Sequence, residues 1–317
     1  MQIKDHVLGI DTSNYTTSVA VIRKDGSIIY DLRKQLAVKQ GDRGLRQSFA
    51  LFQHIEALPA LIEEAISKKG HELAAVAVST RPRPVDSSYM PVFKAGESSA
   101  QMISSALNVP LFKTSHQEGH IEAVKNVSTI KEKGEFLCYH LSGGTNELLQ
   151  IKGAEFKIIG GTKDISFGQV IDRVGVRLGM PFPCGGELDK IALSTGAAGG
   201  FLKDIPVDGC YINLSGIETQ CANLIEKGLA AQDKDMLIKE LFNKICKSLI
   251  ILTENAVKCA KSSDVLFVGG VSSSRFLYEG LRNYFDGSGI NIDFGDRRFS
   301  ADNAVGTAFL GGKKIWP

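Results

Sequence analysis

No apolar run in this sequence approaches the roughly 20 residues a membrane-spanning helix needs, so no such helix is expected. The opening residues, Met1 to Asp5, carry no basic stretch leading into an apolar one, so no secretory signal is expected there. There is no Cys-x-x-Cys pair. The six cysteines (Cys138, Cys184, Cys210, Cys221, Cys246 and Cys259) stand apart in apolar segments. That spread fits reduced, buried thiols and argues against a disulfide framework. Net charge is nearly absent: 37 basic and 35 acidic residues leave +2. The chain thus lacks the global electrostatic footprint of an RNA binder, and any RNA contact requires a local patch or a partner subunit. Low-complexity stretches and an obvious linker are also missing. Together these absences point to a cytoplasmic protein that does not engage a membrane.

What is present suits two domains of about 150 residues each. The chain has 317 residues, 43% of them hydrophobic and 23% charged, enough for a sizeable core. The pattern opens as strand, polar turn, strand: His6 to Ile10, Asp11 to Thr17, Ser18 to Ile22. Asp25-Gly26 turns the chain into a third apolar segment. Helical spacing of apolar residues predicts a helix from Leu45 to Ser67 and another from Gly96 to Leu107. Strands are predicted at Leu73 to Ser79 and Val109 to Ser115, and a helix starts near Ser115. A second cycle follows. Phe136 to Leu141 and Glu147 to Gly153 flank a Ser-Gly-Gly-Thr turn. A helical mid-section from Phe167 to Ala192 breaks at Pro181–Gly186. Met236 to Ala260 reads as a long amphipathic helix, Asp264 to Ser274 as a strand running into a Gly-Gly turn, and Asn303 to Leu310 as a tail helix. A repeated strand–turn–strand unit predicts two similar α/β halves with mixed sheets and a nucleotide in the cleft between them. The boundary is placed between 1–130 and 131–317, with the tail helix packing back on the first half.

Three turns at strand ends carry the types that phosphates select: Asp11-Thr12-Ser13, Ser142-Gly143-Gly144-Thr145 and Gly269-Gly270-Val271-Ser272. Backbone N–H groups and hydroxyls approach phosphate most freely where no Cβ intervenes. One Gly-Gly after a strand is usually just a turn. All three together point to the actin-like ATPase (ASKHA) architecture, in which an acidic residue of the first hairpin, here Asp11, handles metal or water. His116-Gln117-Glu118-Gly119-His120 places two imidazoles at i and i+4, on one helix face, where they either chelate one metal or merely begin a polar helix. Gly119 within that turn suggests close packing. A third ligand must come from elsewhere. Asp302 is the best candidate, although Ser300 or Asp302 serves equally as N-cap of the tail helix. Two histidines and a carboxylate suit iron or zinc. Asp164, Gly168 and Asp172 recur at helical spacing ahead of Cys184-Gly185-Gly186-Glu187-Leu188-Asp189. These carboxylates either hold ribose hydroxyls or a threonine-like amine, or are simply solvated.

Taken together, these residues resemble the glycoprotease family, once named O-sialoglycoprotein endopeptidase and now understood as tRNA threonylcarbamoyladenosine synthase. The resemblance spans nearly the whole chain. It rests on Leu8 to Ser13, the His-x-x-x-His of His116 and His120, Leu141-Ser142-Gly143-Gly144, Thr162 to Asp172, Pro183 to Asp189, Gly269 to Ser272 and Asp302-Asn303. It implies one divalent metal, iron or zinc, on His116, His120 and Asp302, with Mg2+ accompanying the nucleotide. It implies that Leu141, Ser142, Gly143, Gly144, Asp172, Gly185 and Asp189 hold an adenine nucleotide or adenylate, with Thr145, Gly269, Gly270 and Ser274 beside them. Its default reaction moves threonylcarbamoyl, or carbamoyl, from an adenylate to an adenosine amine in tRNA, alongside other subunits of a tRNA-modification complex.

Four departures mark a divergent paralogue. The segment Arg81 to Tyr89 replaces a shorter Gly-Pro-Gly-Leu. Thr145-Asn146 replaces His-Thr, Glu218 replaces a lysine, and Ser274 replaces an asparagine. A non-catalytic nucleotide-binding partner subunit is therefore the alternative reading. A peptidase lacks a nucleophile–base pair or metalloprotease glutamate at sensible spacing.

Overall fold

The computed structural model describes residues 4–13, 15–38, 45–67, 72–85, 87–153 and 155–316. Met1 to Ile3, Asn14 of the opening turn and Asp86 of the Arg81–Tyr89 segment lie outside them. The chain divides into two compact units, one of Met1–Val127 with Asp296–Pro317 and one of Ser128–Gly295. The division falls at Val127/Ser128.

In the first unit, β1 (His6–Ser13), β2 (Thr16–Arg23) and β3 (Ile28–Gln35) form an antiparallel meander. α1 (Gln47–Ile66) leads to β4 (Leu73–Arg81), which pairs parallel to β1. α2 (Phe93–Leu107), β5 (Leu111–Ser115) and α3 (His116–Lys125) complete the cycle, in sheet order β3-β2-β1-β4-β5. β1 is buried at every position, as a strand covered on both faces must be. Its alternate residues serve different layers. Leu8 and Ile10 pack with Leu58, Val76 and Ala100, whereas Val7 packs with Ala75, Ala77 and Ala308.

The second unit repeats the plan. β6 (Glu135–Leu141), β7 (Asn146–Lys152) and β8 (Glu155–Thr162) form an antiparallel meander. Then come α4 (Phe167–Arg177), α5 (Gly185–Ser194), the short β9 (Val207–Asp208) and β10 (Tyr211–Ile212), α6 (Ser215–Glu226) and α7 (Ala231–Ala260). β11 (Asp264–Val268) pairs parallel to β6, and after α8 (Arg275–Phe285), β12 (Asn291–Asp293) pairs parallel to β11. The order β12-β11-β6-β7-β8 mirrors the first sheet, with β10 and β9 added at one edge. α7 buries Leu237, Leu241, Phe242, Ile245, Leu249, Leu252 and Ala256, a stripe at helical spacing, against this sheet. The chain then returns to the first unit as α9 (Val305–Ile315).

Three expectations change. Asp164 is not on a helix, because α4 starts only after the Ser166 N-cap. Neither Ser300 nor Asp302 caps α9; Asn303 Oδ1 accepts the Val305 N–H at 3.0 Å instead. Cys259 is exposed, next to the last residue of α7, while the other five free cysteines are buried.

Candidate metal and phosphate sites

The first site is assembled on α3. Ser115 caps the helix: its hydroxyl accepts the Glu118 N–H at 3.2 Å, and Glu118 Oε2 accepts the Ser115 N–H at 2.7 Å. This reciprocal box fixes where the helix begins, so His116 opens the first turn and His120 follows one turn later. The two rings meet edge to face, 4.4 Å apart. Asp302 reaches them because α9 lies directly on α3. A Cβ on Gly306 would stand 1.8 Å from the Gly119 carbonyl oxygen, and one on Gly119 would stand 2.9 Å from Thr307 Oγ1. Only glycine allows this approach. Asp302 Oδ1 lies 3.1 Å from His120 Nε2 and 3.5 Å from His116 Nε2.

Asp11, at the end of β1, stands behind this group. Its Oδ2 lies 2.9 Å from His116 Nδ1, and its side chain is 1% exposed. With a proton on Nδ1 bonded to Asp11, Nε2 on the Asp302 side is the nitrogen left to give up its proton to a metal. Burial opposes charge on His116, yet the carboxylates of Asp11 and Asp302 outweigh it and raise the imidazole to about 10. Burial likewise pushes Asp302 and Asp11 upward, and the facing histidines more than reverse this, leaving Asp302 far below the usual carboxylate range. Two imidazole nitrogens and one carboxylate oxygen, all within 4.8 Å of one another, fit a divalent first-row ion. Ligands at about 2.0–2.2 Å from such an ion lie roughly 3.0–3.5 Å apart. Asp11→Asn is expected to weaken metal binding by about 10- to 100-fold, the usual effect of losing an orienting carboxylate. Competition against a chelator measures this; an unchanged constant would remove Asp11 from the site.

In the second unit the Leu141–Thr145 turn joins β6 to β7. The Ser142 hydroxyl accepts the N–H of Thr145 at 2.9 Å, and Ser166 Oγ donates to the Gly143 carbonyl at 2.8 Å. The turn is seated on α4, since a Cβ on Gly168 would lie 2.6 Å from Gly143 Cα. Gly143 and Gly144 are exposed, and a Cβ on either meets no chain atom within 4 Å. Gly269 lies against the same turn. Its φ of +94° favours glycine, and a Cβ there would stand 2.4 Å from the Leu141 carbonyl oxygen.

The carboxylates of this unit are engaged by backbone. Asp189 accepts the N–H groups of Arg275 (2.9 Å) and Phe276 (3.1 Å) and the Ser274 hydroxyl, which fixes the start of α8 after Gly269-Gly270. Asp172 accepts the Cys184 N–H at 2.8 Å, ahead of Gly185 at the start of α5; burial still leaves it raised. Asp164 accepts from Leu214 and Ser215 at the start of α6. These residues shape the loops around the turn. Ser166 escaped the sequence reading, although Ser166-x-x-Gln169 is a capping-box signature.

The Arg81–Tyr89 segment leaves β4 beside the histidines: the Gln117 N–H donates to the Pro82 carbonyl at 3.0 Å. The Arg83 N–H donates to Ser88 Oγ at 3.1 Å, and Tyr89 is exposed.

Against this geometry the comparisons are direct. The family model described as TsaD, tRNA N6-adenosine threonylcarbamoyltransferase, matches residues 32–309. A protein of that name from Neorickettsia sennetsu is 28% identical over 94% of this chain and 90% of its own length. Another from Thermus thermophilus is 29% identical, over 94% and 90%. Among solved structures, full-length HypF in a phosphate- and nucleotide-bound form superposes with TM-score 0.64 at 13% identity, covering all of this chain and 47% of that one. A ROK hexokinase from Thermus thermophilus gives 0.53 at 16%, covering 98% and 99%. Identities this low speak for the fold alone, and that fold is the actin-like ATPase one.

Proposed function

The chain belongs to the TsaD family of tRNA N6-adenosine threonylcarbamoyltransferases, and from that premise we propose that it transfers a threonylcarbamoyl group from an adenylate to the N6 amine of a tRNA adenosine. In that reaction the amine nitrogen bonds to the carbamoyl carbon, the bond from that carbon to the phosphate oxygen breaks, and AMP and the amine's proton leave. The observation that carries the reading is the convergence of His116, His120 and Asp302, backed by Asp11. His116, His120 and Asp302 would hold a divalent ion such as iron or zinc, which would supply Lewis-acid polarisation of an acyl oxygen.

The chain's own groups do the remainder. Asp11 holds the His116 proton on Nδ1 and so keeps Nε2 directed outward. The Ser142–Thr145 turn, whose Ser142, Gly144 and Thr145 N–H groups are held within the turn, offers the Gly143 N–H to the adenylate phosphate, with Mg2+ accompanying the nucleotide. Asp189 holds Ser274 and the start of α8, so that the Gly269-Gly270 turn keeps its shape beside the adenosine. Arg81 and Arg83 meet the acceptor, their planar guanidinium groups suited to its phosphates. Pro82, Pro84 and Pro91 lower the entropy cost of presenting that segment. Other subunits of a tRNA-modification complex supply the basic surface that a net charge of +2 does not.

The test is complementation in cells depleted of their ordinary synthase, with nucleoside mass spectrometry of tRNA. Wild-type protein is expected to restore the modified adenosine, and Arg81→Ala with Arg83→Ala to restore about tenfold less, the loss of one or two charge-assisted contacts. Equal rescue by both would remove the arginines from acceptor binding. No rescue by wild type, with metal and nucleotide still bound, would overturn the acceptor assignment in favour of a binding role.

A further inference from the structure

A second convergence of metal-type donors lies at the start of β1. His6, the first residue of that strand, has a side chain only 5% exposed. It pairs in register with Leu73 of β4, so Glu72 is carried alongside it. Asp5 precedes His6, and its carbonyl is fixed by the Lys24 N–H at 2.8 Å. His6 Nδ1 stands 2.7 Å from Asp5 Oδ1 and 3.3 Å from Glu72 Oε2. The donor atoms of Asp5, His6 and Glu72 all fall within 4.8 Å of one another.

At such distances an ordinary imidazole would hydrogen-bond to one carboxylate, yet Nδ1 makes no hydrogen bond at all. The N–H or lone-pair direction runs in the ring plane, and a hydrogen-bond acceptor must lie near that axis. Both oxygens therefore lie away from that axis. Ligands sharing one ion are arranged in this way: the ion sits on the nitrogen's axis and the oxygens stand to either side. The Glu72 separation already matches the roughly 3.0–3.5 Å between neighbouring ligands of a zinc-like ion, and Asp5 needs to open by only a few tenths of an ångström. The two carboxylates, 29% and 24% exposed, give an ion access from solvent.

We infer that Asp5 Oδ1, His6 Nδ1 and Glu72 Oε2 form a second binding site for a divalent first-row cation of the zinc class, with water completing the coordination. One imidazole and two carboxylates suit zinc, manganese or iron. An ion there ties the start of β1 to the start of β4, across a sheet whose central strands are buried.

The test uses the full chain, stripped of metal, with Zn2+ as the probe and a chromophoric chelator as competitor. The His116→Ala, His120→Ala background removes the first site. It is expected to retain one zinc, and adding Glu72→Gln is expected to weaken that zinc at least tenfold. Zinc should raise the melting temperature of the background and not of the Glu72→Gln variant, while the metal-free proteins melt together. Asp5→Asn gives an independent second variant that leaves the buried His6 in place. Failure of the background to take up zinc, or uptake indifferent to both Glu72→Gln and Asp5→Asn, would overturn the site. If instead the α3 site proved not to bind metal, wild-type protein would still take up one zinc sensitive to Glu72→Gln.

Discussion

The His116→Ala, His120→Ala double variant is expected to lose the metal of the α3 site, with affinity there falling at least about a thousandfold, because direct ligands matter more than the 10- to 100-fold of an orienting neighbour. The substitution also has a cost outside metal binding. Asp11 is 1% exposed and has His116 as its charged partner, so alanine at 116 leaves a buried carboxylate uncompensated. Breaking one side of a buried pair costs about 3–5 kcal/mol. The double variant should therefore unfold more easily than wild type even when both are metal-free, and adding Asp11→Asn should recover much of that loss without restoring metal. Metal content by mass spectrometry and thermal unfolding in chelator separate the two effects. A metal content in the double variant equal to that of wild type would sink the assignment of these ligands. Equal stability with and without Asp11→Asn would show that the Asp11–His116 pair does not hold this part of the unit.

Gly143→Val separates binding from folding on the other unit. A Cβ at this position meets no chain atom within 4 Å, so the turn should accept the side chain with little change in stability. The valine methyls would instead occupy the approach to the N–H of residue 143. Hydrogen bonds to a charged group contribute about 1.5–3 kcal/mol, so losing one should weaken adenine nucleotide binding about 10- to 100-fold by calorimetry. Gly168→Ala makes the contrast. Its Cβ would press on Gly143 Cα at 2.6 Å, so that variant should lose stability and binding together. Unchanged affinity in a well-folded Gly143→Val protein would remove the phosphate role from this turn.

The sequence was most informative where the physics is local. Helical spacing places His116 and His120 on one face whatever surrounds them, and Ser115 with Glu118 defines where that helix starts. Alternation of apolar strands with polar turns, repeated twice, carries the two-unit α/β architecture, because each sheet face must bury its own set of residues. Glycine beside small polar residues at strand ends marks the turns, and at Gly269 the φ of +94° and the Leu141 carbonyl exclude a Cβ. Asp302 was legible only as the best candidate, since its sequence neighbourhood suits a helix cap as well as a ligand. It joins the histidines across 182 positions only because Gly119 and Gly306 let α3 and α9 touch. Asp11, 105 positions from His116, was legible as an acidic turn residue and not as that imidazole's partner. The carboxylates Asp164, Asp172 and Asp189 looked free to meet a ligand. Tertiary structure instead brought the starts of α6, α5 and α8 to them, because unpaired N–H groups at a helix start bind whatever anion the fold delivers.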